Sequence, residues 1–167
     1  LAWMEEAMAA IRREHPEMPL TFSTQMGGDW SKAGDCDFWE PHIWMAGGDF
    51  YHRLQFTFQH KFDYSELENV ARYGEELYRS DPEHWHGILR RRIEAMAKEA
   101  HAHAKPLITT ECWGIVDYKD APLFDWGWVK DLCALGVECA SDTGAWAANA
   151  TSNFCGPQFV GMWRDVE

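Results

Sequence analysis

No stripe of positive charge runs through these 167 residues: 27 acidic residues outweigh 15 basic ones, for a net charge of −12. The only dense basic run is Arg90-Arg91-Arg92. Phosphate backbones need a basic surface, so nucleic acid is not an expected partner. No apolar run approaches the length of a membrane span, so no membrane partner is expected and the protein should be soluble. The five cysteines, at 36, 112, 133, 139 and 155, form no CxxC pair. An odd number in irregular spacing predicts reduced thiols rather than a disulfide framework, which leans towards a cytoplasmic setting. No glycine-rich loop follows a strand candidate, Gly47-Gly48 lacks the helix that would make it a phosphate cradle, and no GxSxG elbow exists. Nucleotide cofactors and serine-hydrolase chemistry are therefore not expected, and no cofactor of any kind is. Repeats and low-complexity linkers are also missing. There is neither an initiator Met nor a signal peptide before the helical opening "LAWMEEAMAAIRREH", and the end "FVGMWRDVE" reads as the first turns of another helix. The expectation is a fragment, which leaves localisation undetermined.

What the chain does have is tryptophan, ten in all. Large aromatics mostly fill cores, but an indole face also suits the C–H face of a sugar ring. The length allows one domain, 1–167, with a sizeable core. Met4, Ala7, Met8 and Ile11 recur at helical spacing up to Pro16. Strands are expected near 19–25 ("PLTFSTQ"), near 37–44 ("DFWEPHIW"), near 106–112 ("PLITTEC") and near 137–142 ("VECAS"). Residues 47–61 read as a loop. Between the second and third strands lies a two-helix stretch, 65–104. Its first helix opens on the capping box Ser65–Glu68, and its second on Asp81-Pro82. That second helix puts Leu89, Ile93, Met96, Ala97, Ala100 and Ala104 on one face and Arg90–Arg92 towards solvent. A further helix over 123–135 would stop at Gly136. Strands alternating with helices predict an α/β protein with parallel strands.

Strand parity places Leu107, Thr109 and Glu111 on one face, with Glu111 at the C-terminal tip, where parallel βα folds keep their chemistry. There a carboxylate can serve as nucleophile, base or ligand, or simply as half of a salt bridge. Glu40, His42 and Trp44 share a parity on the preceding strand, and His42 is either an orienting group or a satisfied core histidine. In the polar loop "SDTGAWAANATSNFCG", Trp146 could floor a sugar site while Asn149, Ser152 and Asn153 bind hydroxyls; an ordinary surface loop is the alternative. Asn149-Ala150-Thr151 also fits a glycosylation triplet, a pattern common by chance. The pairs His84/His86 and His101/His103 are spaced two apart on helices and so do not share a face, and no metal site is expected.

"PLITTECWG" resembles the seventh-strand segment of retaining glycoside hydrolases of the cellulase-like (β/α)8 superfamily, whose nucleophile is a glutamate at that strand's tip. In the same register, "DFWEPHIW" looks like strand six, with His42 matching the superfamily's histidine and Trp44 standing near its usual tyrosine. "PLTFSTQ" looks like strand five, the Trp146 loop like the end of strand eight, and Phe159 onward like helix eight. The resemblance implies the C-terminal half, about strands 5–8, of a TIM barrel. Glu111 would be nucleophile, and His42, Trp44, Trp113, Trp146 and Asn149 would contact a carbohydrate substrate; Glu40, where the family keeps no acid, joins these candidates by its strand parity alone. Departures are a short strand-five-to-six connection, the helical insertion and the loss of the tyrosine hydroxyl. The acid/base partner belongs to strand four, outside this chain. A retaining mechanism needs two carboxyl groups about 5 Å apart, so the chain alone should be inactive. Its open sheet edges would need the N-terminal half of the barrel, or a second copy, to cover them. The alternatives are a carbohydrate-binding barrel without activity and an unrelated small α/β domain.

Overall fold

A computed structural model describes residues 2–25, 36–57, 64–114 and 125–149. Within them lie five helices and five short strands. Helix α1 (Ala2–Glu14) buries Met8 and ends before Pro16. Its Arg12 pairs with Asp37 at 2.9 Å, and the same Asp37 oxygen accepts from Leu20 N at 2.7 Å. One carboxylate thus ties α1 to the approaches of two strands. These contacts hold the Asp37 carboxyl below its ordinary range, the Leu20 amide contributing most.

Strand β1 (Ser23–Gln25) pairs in parallel with β2 (Glu40–Trp44), Ser23 opposite Glu40 and Gln25 opposite His42. β1 is shorter than the expected 19–25, though Leu20 and Phe22 still pack on the core. The third strand breaks in two. β3 (Leu107–Thr109) pairs with β5 (Trp146–Asn149), and β4 (Cys112–Trp113) pairs with β2, all in parallel. The backbone bonds Trp39 N to Pro106 O and Ile108 N to Trp39 O join the two sheets. The spatial order is therefore sequential, β1, β2, β3/β4, β5.

Three further stretches depart from the sequence expectation. Residues 47–61 include helix α2 (Gly48–Arg53), which buries Phe50 and Tyr51. Helix α3 (Tyr64–Ser80) begins one residue ahead of Ser65, and Glu68 pairs with Arg72 instead of closing a capping box. Most consequential, 137–142 is not a strand: helix α5 runs from Gly127 to Asp142, and the last strand is β5. Val129, Leu132, Gly136 and Ala140 are all buried, a helical spacing that continues straight through the glycine. Gly136 is there for clearance, not termination. A Cβ at that position would lie 2.4 Å from the Trp113 ring, so only glycine lets α5 approach β4.

Helix α4 (Pro82–Ala102) follows expectation: Asp81 caps it through His84 N at 3.2 Å, and Leu89, Ile93, Met96, Ala97 and Ala100 are buried. Ala104 falls beyond its end, at positive φ. α4 packs on β2 and α5, while α5 packs on β4 and β5. Arg92, expected in solvent with its neighbours, turns inward. Its guanidinium donates to the carbonyls of Trp44 and Met45 at the end of β2, and burial lowers its pKa. Tying the two together, Arg92 braces the strand end from the helix layer.

Candidate functional site: the carboxylate–imidazole cluster at the strand tips

On β2, alternation buries Pro41 and Ile43 and leaves His42 and Trp44 part-exposed on the other face. Glu40 shares that face but is buried, its side chain 5% exposed against 23% for His42. Across from it, the 107–113 segment does something a regular strand does not. Thr109 pairs in register with Asn149 and Cys112 pairs with Ile43, but Thr110 and Glu111 belong to neither ladder. Glu40 fills the gap: its Oε1 accepts from Thr110 N at 3.0 Å and from Thr110 Oγ1 at 2.5 Å. A side-chain carboxylate thus replaces a backbone acceptor, which satisfies an amide that would otherwise lose its partner.

The detour turns Glu111 out of the sheet. The expected parity of Leu107, Thr109 and Glu111 therefore holds only for the first two, both fully buried. Glu111 is 39% exposed, with Oε2 at 3.6 Å from His42 Nδ1, while His42 Nε2 stands 3.1 Å from Glu40 Oε2. The imidazole sits between two carboxylates. Its contact with Glu40 is one of charge and distance, since the ring N–H is not aligned on the oxygen. Both contacts are attractive together only when both ring nitrogens carry hydrogen.

The remaining sequence candidates separate here. Trp113 is fully buried at φ +80, a conformation rare for a bulky residue, and its ring packs against Gly136; it has no face free for a ligand, contrary to the stacking role expected of it. Trp146 stands at the first position of β5, opposite Leu107, rather than at the strand's end. Its Nε1 donates to Thr109 Oγ1 at 2.7 Å, its ring centroid is 6.0 Å from that of Trp113, and it lines a 440 Å³ groove at the N-terminal ends of β3 and β5. That location fits a brace for Thr109 better than a floor at the strand tips. Trp44, part-exposed two positions beyond His42, is the indole on the His42 side of β2. Asn149 ends β5 with a buried Oδ1 that has no hydrogen-bond partner among the described residues. Ser152, Asn153 and Phe159 onward lie outside the described residues.

Neighbouring thiols are inert. Burial pushes the Cys112 thiol far above its usual range and that of Cys133 to about 12, so neither supplies a thiolate. The histidines of the 84/86 and 101/103 pairs go to separate partners. His84 faces Asp49 at 3.9 Å, His86 meets Tyr78 OH at 2.7 Å, His101 meets Thr143 O at 3.1 Å, and His103 lies against Trp39. Among the described residues, no group of three His, Cys, Asp or Glu is placed to hold a metal ion, and no helix is long and apolar enough to cross a membrane. Two features escaped sequence reasoning: the Glu40–Thr110 link and the break at Thr110-Glu111. Only the unusual placing of a glutamate before a proline in an apolar strand hinted at the first.

A crystal structure of a protein from Parabacteroides distasonis ATCC 8503, provisionally named a glycoside hydrolase, superposes with a TM-score of 0.85 at 44% sequence identity. The match covers 99% of this chain and 45% of that one, so the chain spans less than half the length of this relative. No curated protein matches. The family model "Cellulase-like: Sugar-binding cellulase-like" matches residues 1–167. From end to end, then, this chain belongs to the sugar-binding cellulase-like family.

Proposed function

We propose that this chain is the C-terminal half of a (β/α)8 barrel of a retaining β-glycosidase, with Glu111 as its nucleophile. The observation that carries the reading is Glu111 itself. It is a carboxylate set outside both ladders at a strand tip, solvent-accessible, and 3.6 Å from an imidazole on the adjacent parallel strand. A nucleophile must reach the anomeric carbon and still be held in one orientation, and this arrangement offers both. Trp44, part-exposed on the His42 side of β2, offers an indole for a sugar ring. Glu40 is not the second carboxyl of the mechanism, since Thr110 and His42 occupy it behind the surface. The proton donor comes from the N-terminal half of the barrel.

The sequential parallel order of strands supports the half-barrel, as does the distribution of apolar surface. Among the described residues β1 pairs only with β2, and Trp3 (70% exposed), which meets Phe22 in β1's approach, is open to solvent, as are Ile11 and Met18. A preceding barrel half would cover both, and a second copy of the chain is the alternative cover. The test is Glu111→Gln in the full-length protein. Loss of kcat on an aryl β-glycoside should be on the order of 10³-fold or more, with an unchanged melting temperature. Activity within tenfold of wild type would overturn the assignment.

A second reading is sugar binding without hydrolysis. Trp44 in place of the tyrosine hydroxyl and the family's sugar-binding description favour it. Oligosaccharide binding by calorimetry, with no turnover of any β-glycoside by the full-length protein, would decide for it.

A further inference from the structure

The Glu111 reading leaves a second glutamate unexplained. Glu40 is a carboxylate buried in the sheet, a costly placement unless its oxygens are engaged. Oε1 is hydrogen-bonded and Oε2 faces an imidazole, and both groups they meet adjoin Glu111. Oε1 takes both the amide and the hydroxyl of Thr110, the residue bonded to Glu111. Oε2 stands 3.1 Å from Nε2 of His42, whose other nitrogen faces Glu111. Glu40 therefore touches the nucleophile's neighbour through the chain and its imidazole through space.

We propose that Glu40 is the positioning residue of this site: it fixes the detour at Thr110 that presents Glu111, and its carboxylate, 3.1 Å from Nε2, biases the orientation of the His42 ring. The inference rests on the reading of Glu111 as nucleophile. Two physical consequences follow. With the Thr110 amide bonded to a side chain, the segment cannot slide back into the β2 ladder, where Glu111 would face the sheet instead of solvent. With a negative charge behind the ring, His42 presents a fixed nitrogen to Glu111 instead of flipping between orientations.

The test uses the full-length protein and three variants. Glu40→Gln is nearly isosteric and keeps an acceptor for Thr110 but removes the charge facing His42. Glu40→Ala removes both functions, and Thr110→Val removes only the hydroxyl. A mere packing role would lower the melting temperature and alter kcat and KM together. Positioning predicts that Glu40→Gln melts near wild type with kcat down about 10–100-fold and KM within about threefold, since a small misplacement costs rate at that scale. Thr110→Val should lose less than Glu40→Gln, and Glu40→Ala more. In a ¹⁵N-histidine spectrum, the ring signals of His42 should shift in Glu40→Gln and stay put in Thr110→Val. A Glu40→Gln protein with kcat within twofold of wild type and unmoved His42 signals would overturn the inference. If the wild-type protein turns over no glycoside, the nucleophile reading fails instead. The His42 spectrum then still decides whether Glu40 governs the ring.

Discussion

In the helical layer, Phe50 meets Trp85 edge-on at 5.0 Å and Trp128 at 6.0 Å, while Tyr78 meets Trp128 at 5.5 Å. There Trp85 Nε1 donates to Leu77 O at 3.1 Å and Tyr78 OH meets His86 Nε2 at 2.7 Å. In the sheet the aromatic pair Trp113–Trp146 stands 6.0 Å apart, yet residues around Glu111 break local rules. Trp113 sits at positive φ with a buried Nε1 that has no hydrogen-bond partner among the described residues, the ladder skips two residues, and Glu40 is a buried acid. Proteins concentrate such exceptions at functional sites, because only strong surrounding structure can hold them. The helical layer supplies that structure, with Arg92 and Gly136 as the contact points between the two regions.

The comparison can be broken from the stable side first. Trp85→Ala should cost about 3–5 kcal/mol in chemical denaturation of the full-length protein, as expected for a large buried aromatic, with KM unchanged in the folded fraction. A loss of activity without loss of stability would show that the two regions do not divide the work in this way. Gly136→Ala sharpens it at the boundary. The new methyl meets Trp113, so overpacking should cost about 1–3 kcal/mol and also lower kcat, because Trp113 follows directly on the Glu111 segment. A stable, fully active Gly136→Ala would mean the tip tolerates displacement.

The smallest effect lies away from both regions. The folded-state pKa of Asp37 is depressed, so its contribution to stability is present above the unfolded carboxylate value near 4. That contribution is lost as pH falls through the lower folded value. Asp37→Asn should therefore flatten the acid limb of the stability curve slightly, leaving neutral-pH activity intact. The group is exposed, so the change in melting temperature will be small and salt-sensitive.

How much of this was legible differs between the same two regions. Helix α4 could be read almost to the residue, because an Asp-Pro cap and a regular apolar face are local signals. Helix α5 could not, because Gly136 looks like a stop until Trp113 is placed against it, and that is a contact between distant residues. Glu111, His42 and Glu40 could be singled out from strand parity and from the resemblance of "PLITTECWG" and "DFWEPHIW". Their arrangement could not. Parity assumes an unbroken strand, and the break at Thr110 arises from a carboxylate 70 residues earlier. Trp113 misled for the same reason: a tryptophan's sequence position does not say whether its faces are already covered.

The most direct test of Glu111 as nucleophile is covalent trapping. The full-length protein would be incubated with a 2-deoxy-2-fluoro β-glycoside bearing a good leaving group, and the adduct located by peptide mass spectrometry. The account predicts a single glycosyl ester on the peptide carrying Glu111, absent in Glu111→Gln. An adduct on another carboxylate, Glu40 included, would contradict it.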